Sequence, residues 1–238
     1  MKRVLLISAV GLLLANSAMA SMTNCRFALH QKLATTKAAS ICTTYSPNTS
    51  LTPCTSYVTQ AAANGTGYHV YVVVGKAGSE GIGAASFGFD YKSTGGINRT
   101  GVSMTYCADG LSFPNDGGFG DFPQPKGGVR VTWNLPGSCQ TTVVGSAGVH
   151  AVIGALYCYS YATDALQLTA NNNLASGPEL AVADCAGVST DLIQIWGAAI
   201  ASQLMGRVDF GGGAGYNPCI ITPTMPTTWG KIKTQYAN

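Results

Sequence analysis

The stretch "GVRVTWNL", residues 128–135, shows the clearest β-strand pattern in the chain. Its apolar side chains fall at every second position, at Val129, Val131, Trp133 and Leu135. Polar or charged residues fill the positions between them. Because successive side chains of a strand point to opposite faces, this alternation predicts a strand with one face in a core and the other toward water.

The pattern recurs along the chain, separated by turns rich in Gly, Pro and Asn. Further strands are predicted at "CRFALHQKLA" (25–34), "GYHVYVVVG" (67–75), "AASFGFDY" (84–91), "GVSMTYC" (101–107), "QTTVV" (140–144), "GVHAVIGALYCYSYA" (148–162), "ALQLTA" (165–170), "ELAVADC" (179–185) and "GRVDF" (206–210). Gly154 predicts a bulge or a bend within its strand. Short strands joined by turns predict an all-β fold, an antiparallel β-sandwich with one core.

One segment departs from the strand pattern. In "TDLIQIWGAAIASQL" (190–204), apolar residues recur at helical spacing behind Thr190, which is an N-cap candidate. We therefore predict a short helix with Leu192, Ile195, Trp196, Ala199, Ile200 and Leu204 on one face. Gly197 weakens it, and an irregular crossing loop is the alternative.

The N-terminus and the charge balance indicate an exported protein. Lys2 and Arg3, an apolar run and the small-residue site Ala18-Met19-Ala20 predict a signal peptide over 1–20. No later segment is long and apolar enough to predict a membrane span. Charged residues make up 10% of the chain, with 13 basic and 10 acidic residues and no basic stripe. Nucleic acid is therefore not an expected partner.

The cysteines predict disulfides. All eight lie after the signal peptide, at Cys25, Cys42, Cys54, Cys107, Cys139, Cys158, Cys185 and Cys219. An even number in an exported chain is typical of a disulfide framework. Pairing neighbours along the sequence gives Cys42–Cys54, Cys107–Cys139 and Cys158–Cys185, with Cys25–Cys219 joining the ends.

Metal and catalytic motifs are weak. No CxxC pair occurs, and His30, His69 and His150 are not at ligand spacing, so no zinc site is predicted. The oxygen-bearing residues Asp109, Asn115, Asp116 and Asp121 form a calcium candidate, although Asp, Asn and Gly also serve ordinary turns. The chain has two glutamates, Glu80 and Glu179, and no pattern brings them together as a glycosidase pair. We therefore predict a protein that is not an enzyme and needs no cofactor.

Aromatic residues supply the candidate binding surface. The loop "LSFPNDGGFGDFPQPKGG" (111–128) carries Phe113, Phe119 and Phe122, which either cap the core, contact a neighbouring subunit or stack on a polysaccharide together with Tyr106 and Trp133. In the tail, the predicted face Trp229, Ile232 and Tyr236 either packs on the sandwich or docks on a neighbour.

The resulting plan has four parts: the signal peptide (1–20), an N-terminal strand with a disulfide-linked loop (21–56), the sandwich (57–218) and the tail (219–238). Three N-x-S/T sequons, at Asn48, Asn64 and Asn98, fall in predicted loops and are candidates for glycosylation.

Two segments carry a family resemblance. "GIGAASFGFDYKST" (81–94) and "GSAGVHAVIGALYCYSYATDALQLTA" (145–170) resemble strand patterns of the cohesin fold. That resemblance implies an exported, Ig-like sandwich that binds protein or carbohydrate partners without catalysis. The cysteines depart from cellulosomal cohesins. The whole chain, with "GYNPC" and "TTWGKIK", also looks like exported proteins of environmental bacteria, a likeness that implies no activity.

The sequence therefore predicts a secreted structural or adhesive interaction module. Its partner would be another copy, as in an extracellular filament or surface assembly, or another extracellular protein. A carbohydrate-binding module is the alternative, and a glycoside hydrolase the third hypothesis. The segment 21–36 is the predicted donor of a strand to a neighbour.

Overall fold

The structure is a computed structural model that describes residues 22–35, 42, 53–91, 104–107, 110–115, 127–133, 137–144, 148–172 and 174–220. Its strands are β1 (Arg26–Leu33), β2 (Gln60–Ala61), β3 (Tyr68–Ala77), β4 (Ala84–Tyr91), β5 (Met104–Tyr106), β6 (Leu111–Asn115), β7 (Gly128–Thr132), β8 (Val149–Cys158), β9 (Asp164–Thr169), β10 (Ala181–Ala183), β11 (Ser189–Asp191) and β12 (Arg207–Phe210). Two short helices, α1 (Leu192–Trp196) and α2 (Ala198–Ala201), and 3-10 turns at Met22–Asn24, Cys54–Ser56 and Ser202–Leu204 complete the described elements.

The strands form two sheets. The first has the order β1-β3-β8-β5 and is antiparallel throughout. In the second sheet β4 is central, and β7 pairs with one of its edges. On the other edge of β4, β10 pairs with its first half and β9 pairs with its second half. β6 extends this sheet beyond β7, β11 extends it beyond β10, and β12 and then β2 extend it beyond β9.

One core joins the two sheets, so the predicted β-sandwich is confirmed. The alternating side chains Phe27 and Leu29 of β1 and Phe87 and Phe89 of β4 are fully buried in the same cluster. The Phe27 and Phe87 rings, one from each sheet, lie 5.9 Å apart between centroids. Trp133, which directly follows β7, is also fully buried.

The first sheet is buried on both of its faces. β3 is apolar or aromatic at nearly every position, and its Val70, Val72 and Val74 face the core while Tyr71 and Val73 face outward. All five are fully buried. The unbroken β-branched and aromatic run 67–75 predicts this for β3, whereas the alternation over 25–34 predicts a half-exposed β1. In fact Arg26 and His30, on the outward face of β1, are also buried.

A bulge is present near the predicted position. β3 and β8 shift register between Val72 and Val73, which pair with Gly154 and Val152, so Ile153 is the extra residue. A Cβ at Gly154 would lie 2.5 Å from the carbonyl oxygen of Thr105 on β5. Gly154 therefore allows β5 to approach β8 closely.

The disulfide pairing predicted from sequence neighbours is wrong. The structure joins Cys42 to Cys107, Cys54 to Cys219 and Cys139 to Cys185. Cys158 ends β8 of the first sheet whereas Cys185 follows β10 of the second, so proximity along the chain does not give proximity in space.

The prediction that Cys25 and Cys158 form disulfides is also wrong, since both are buried free thiols. Cys25 precedes β1, whose first residue pairs with Gly75, whereas Cys158 pairs with Tyr68 at the other end of the first sheet. Burial raises the pKa of each thiol to about 12, so both behave as unreactive core residues.

The predicted helix over 190–204 is broken. Asp191, not Thr190, caps α1, and its carboxylate accepts from the Ile193 amide at 2.9 Å. Gly197, with a φ of 76°, ends α1 and starts α2 in a new direction. The six apolar residues therefore do not share one face: Leu192 and Leu204 are buried, whereas Ile195 is 49% exposed.

One predicted strand is absent from the described residues. "QTTVV" forms only two isolated bridges, Gln140 with Ile82 and Val143 with Val149. Val143 is exposed and Val144 is buried, so the alternation is present, but the segment forms no continuous ladder with a neighbouring strand.

Candidate functional site

The candidate site is a groove on the outward face of the second sheet, here called the β4 groove. Because Phe87 and Phe89 of β4 point into the core, Ala84 and Ser86 point outward. The register places Ala183 beside Ala84 and Ala181 beside Ser86. The small side chains of these four residues leave a floor that lies below the neighbouring walls.

The wall on the β6 side is apolar. Leu111 and Phe113 pair with Thr132 and Arg130 of β7, on the same outward face. Both side chains are 55% exposed, and Phe113 lines the groove. Thr132 and Arg130 stand between this wall and the floor, and Ser189 of β11 forms the opposite wall. The open groove has a volume of about 580 Å³.

One end of the groove is polar and closely fitted. The Arg130 guanidinium forms an ion pair with the Glu179 carboxylate. Beneath them Asn171 is fully buried, and its amide donates to the Ser86 hydroxyl at 3.4 Å. Backbone hydrogen bonds of 2.8 and 3.0 Å join Asn171 and Glu179. A Cβ at Gly128 would overlap the Asn171 side chain, so glycine is required opposite it.

The outward face of the first sheet has a different arrangement, because other segments cover it. Tyr71, Val73 and Val152 pack there with Tyr57 and the Cys54–Cys219 disulfide. The Asn217 side chain donates to the Cys54 carbonyl at 2.8 Å, and its own oxygen accepts from the Cys219 amide at 3.0 Å. We call this layer, residues 53–58 and 217–219, the cover.

A buried histidine links the cover to the sheet. Nδ1 of His30 accepts from the Val58 amide at 3.0 Å, and the His30 ring lies 5.1 Å from the Tyr57 ring. Burial, helped by the nearby charge of Lys32, lowers the pKa of His30 to about 4. Neutral His30 can accept this bond, whereas the protonated ring cannot.

A second cleft, of about 310 Å³, lies on the second sheet near β9 and β12, and it contains Asp90, Asp164 and Asp209. Arg207 neutralises part of this charge, since its Nε lies 2.7 Å from Oδ1 of Asp209. Oδ2 of Asp209 accepts from the Gly215 amide at 3.1 Å. Within the described residues, no three His, Cys, Asp or Glu side chains form a group that could hold a metal ion.

The two glutamates occupy different settings. Glu80 lies exposed in the turn before β4, and Glu179 is bound to Arg130 at the end of the groove. The three histidines, His30, His69 and His150, are all buried in the first sheet.

The predicted aromatic binding set is only partly at the surface. Phe113 is exposed in the groove, but Trp133 is fully buried, so its ring cannot stack on an external polysaccharide. Tyr106 lies on β5 in the other sheet, half-buried, and burial raises the pKa of its phenol. The structure therefore does not bring Phe113, Trp133 and Tyr106 onto one surface.

Other predicted site residues lie outside the described residues. These are Phe119, Phe122, Trp229, Ile232, Tyr236, Asn48, Asn98, Asp109, Asp116 and Asp121. Asn115 is the last residue of β6. Asn64 is exposed in a turn, where its side-chain oxygen accepts from the Thr66 amide at 3.1 Å.

The floor of the β4 groove was missed because its residues carry no chemical signature. Ala84, Ser86, Ala181 and Ala183 belong to two strands far apart in sequence. The available signal was that small residues occupy the outward positions of both strands, but the sequence does not show that these strands pair.

Comparison with known proteins gives a loose likeness. No protein-family model and no curated protein matches the chain. Solved cohesin modules align with it weakly. A cohesin module from a Clostridium perfringens family 33 glycoside hydrolase is 9% identical, with a TM-score of 0.38, over 78% of this chain and 97% of that one.

Two further cohesins align similarly. A non-cellulosomal cohesin from Archaeoglobus fulgidus is 14% identical, with a TM-score of 0.34, over 56% of this chain and 78% of that one. The sixth cohesin of Acetivibrio cellulolyticus scaffoldin B, solved with a Cel5 dockerin, is 11% identical, with a TM-score of 0.38, over 70% and 95%. The weak, partial cohesin-like resemblance of the sequence is thus also found in the structure. Likeness at this level assigns no partner.

Proposed function

We propose that this protein is a non-enzymatic interaction module that binds another extracellular protein through the β4 groove. The observation that supports the proposal most is the contrast between a covered outward face on the first sheet and an open groove on the second. Exposed apolar side chains beside a concave floor are typical of protein interaction sites.

The chemistry of the groove favours a protein as its occupant. The centre is formed by alanines, a serine and Phe113, with the charged pair Arg130 and Glu179 at one end. Protein interfaces combine such an apolar centre with a polar rim. We expect an apolar side chain of the partner to fill the space between Phe113 and the floor, and a polar group to meet the ion pair.

Export of the protein is supported by its cysteines. Three disulfides are typical of an oxidising compartment, which agrees with the predicted signal peptide over 1–20. No helix within the described residues is long and apolar enough to cross a membrane. Because of its three disulfides, we propose that the module acts outside the cell or on its surface.

Strand donation by 21–36 is not part of the proposal. Eight residues of this segment pair with β3 in the chain itself, and its Phe27 and Leu29 are fully buried in the core. Deleting it would remove a core strand rather than leave a folded sandwich. The groove and the predicted tail face of Trp229, Ile232 and Tyr236 are the candidate contacts for self-assembly into a filament.

Photo-crosslinking in the native secretions tests the proposal. In one preparation, p-benzoylphenylalanine replaces Phe113. In the control preparation it replaces Ile195, which lies on α1 away from the groove lining and is 49% exposed. We expect a specific protein adduct from position 113 that is missing from position 195. The captured protein, purified separately, should bind the wild type, and an Ala181→Trp variant that fills the floor should weaken that binding.

The identity of the adduct separates the finer hypotheses. A second copy of this chain supports the self-assembling subunit, and a different protein supports an adhesive or scaffolding module. Equal capture at positions 113 and 195, or undiminished binding by Ala181→Trp, contradicts the groove as the interface.

A further inference from the structure

The turn between β2 and β3 contains the only Asn-Gly pair of the sequence, Asn64-Gly65. Asn64 is exposed, and Gly65 has a φ of +82°, a conformation that favours glycine. Asparagine is a thermolabile residue, because the backbone nitrogen of the next residue can attack its side-chain carbonyl carbon. A glycine at the next position has no side chain to hinder that attack. This pair is therefore the place where the chain can most readily lose a side-chain amide.

Two hydrogen bonds restrain the reacting groups in the folded protein. The Gly65 amide, which is the attacking nitrogen, donates to the Ser160 carbonyl at 2.8 Å. Ser160 is fully buried, so the position of this acceptor is fixed by the core. The side-chain oxygen of Asn64 accepts from the Thr66 amide at 3.1 Å, which holds the side chain in an Asx turn. The attack therefore requires the turn to open.

The ring of Tyr161 covers the turn from the solvent side. A Cβ at Gly65 would lie 2.5 Å from Cε1 of Tyr161 and 3.0 Å from its Cζ, so the ring lies directly against the Gly65 backbone. The Tyr161 side chain is nevertheless 73% exposed. Its ring therefore helps to hold Gly65 against Ser160 without being part of the core.

The tip of the turn can open without unfolding the sheets. Its flanks are held by separate bonds: the Gly211 amide donates to the Ala61 carbonyl at 2.9 Å, and the Ala62 amide donates to the Tyr68 hydroxyl at 3.0 Å. Surface turns open locally at a free energy far below that of global unfolding. The opening that frees the Gly65 nitrogen is therefore accessible in the native protein.

We propose that Asn64 is a site of spontaneous deamidation and that opening of the Gly65–Ser160 hydrogen bond sets its rate. In the open turn, the Gly65 nitrogen loses its proton to water and attacks Cγ of Asn64. The Cγ–Nδ2 bond breaks, Nδ2 takes up a proton and leaves as ammonia, and a succinimide ring remains. Water then opens this ring at either carbonyl, which leaves aspartate or isoaspartate at position 64.

The modification changes both the charge and the sequence signal of the turn. Either product adds one negative charge to the chain and removes the asparagine of the Asn64 sequon, so the site can no longer accept an N-linked glycan. Isoaspartate also routes the backbone through the former side chain, so the Asx turn to Thr66 cannot form again. The site lies on the first sheet side of the fold and does not depend on the β4 groove having a partner.

Ageing of the oxidised protein at neutral pH, followed by peptide mass spectrometry, tests the site. We expect deamidation at Asn64 and little at two internal controls: Asn171, which is fully buried, and Asn217, which precedes Pro218 and its nitrogen without a proton. The same chain unfolded in guanidinium chloride should deamidate at Asn64 roughly tenfold faster, the factor that the loss of one protecting hydrogen bond supplies.

Variants at the covering ring test the proposed gate. Tyr161→Ala should raise the rate in the folded protein several-fold, whereas Tyr161→Phe should stay close to the wild type because it keeps the ring. Phe113→Ala removes an exposed ring on the second sheet and should leave the rate unchanged. Hydrogen exchange of the Gly65 amide reports the same opening, so it should accelerate in parallel with deamidation in Tyr161→Ala.

Three results would overturn the proposal. The first is an absence of deamidation at Asn64 in the folded protein, or a folded rate equal to the unfolded one. The second is a Tyr161→Ala variant with the same deamidation and the same Gly65 exchange as the wild type. The third is a glycan on Asn64 in the protein secreted by its native host, because the glycan would occupy Nδ2.

Discussion

The two outward faces of the sandwich are formed by similar strands, but one face is covered by other segments of the chain and the other is exposed. On the first sheet, large side chains such as Tyr71 and the imidazole of His30 are buried under the cover. On the second, the outward side chains around β4 are small, and the large apolar ones, Leu111 and Phe113, stay exposed. The comparison suggests that the disulfides on the first face stabilise the fold, which leaves the second face available for binding.

The largest expected effect concerns the disulfide that holds the cover. Cys54 and Cys219 are 165 residues apart in sequence, and Cys139 and Cys185 are 46 apart. In the chain-entropy description, the longer loop contributes about 5 kcal/mol and the shorter about 4 kcal/mol. Cys54→Ala/Cys219→Ala should therefore lower the free energy of unfolding more than Cys139→Ala/Cys185→Ala, as measured by urea denaturation. Equal or reversed losses would contradict the dependence on loop length and the larger contribution assigned to the cover disulfide.

A smaller effect is expected from single aromatic side chains on the two faces. Tyr71 is fully buried under the cover, so Tyr71→Ala should cost about 3–5 kcal/mol of unfolding free energy through lost packing and a cavity. Phe113→Ala should change stability by less than about 0.5 kcal/mol, because the ring is already largely in water. Urea denaturation of both variants checks this. A large loss for Phe113→Ala would show that the ring is part of the fold rather than a free contact surface.

His30 gives the covered face a pH dependence. Its pKa falls from 6.5 to about 4 on folding, so above pH 6.5 it is neutral in both states and has no effect. Between pH 6.5 and 4 the unfolded chain takes up a proton that the folded chain does not, and stability falls. Below about pH 4 the loss should level off at about 3 kcal/mol.

The His30→Gln variant is the control, since its amide oxygen can accept from the Val58 amide without titrating. Urea denaturation from pH 7 to 3.5 should show a shallower loss for this variant than for the wild type. Parallel curves would exclude His30 as the source of the pH dependence.

The difference between the faces also explains what could be predicted from sequence. The strands and the single core were predictable, because alternation in "GVRVTWNL" and continuous apolar character in β3 report burial locally. The cover was not, because it joins Cys54 to Cys219 across most of the chain, and no local pattern encodes such a contact. Trp133 illustrates the limit for binding residues: its type fits a sugar platform, but its place in the alternation puts it in the core.

Another small effect is expected at the polar end of the β4 groove. Arg130 is half exposed, so its ion pair with Glu179 is partly screened by water and should contribute about 0.5–1 kcal/mol at most. Arg130→Ala should therefore barely change the free energy of unfolding, and the remaining change should shrink in 1 M NaCl.

Asn171→Ala is the matched comparison. It removes a fully buried side chain that fills the space above Gly128 and leaves the Ser86 hydroxyl without its donor, so it should cost about 1–3 kcal/mol. If Arg130→Ala were as damaging as Asn171→Ala, the ion pair would be holding this end of the sheet together. If the order holds, Arg130 and Glu179 can exchange their mutual contact for a partner's polar group at little cost to the fold, as the proposed interface requires.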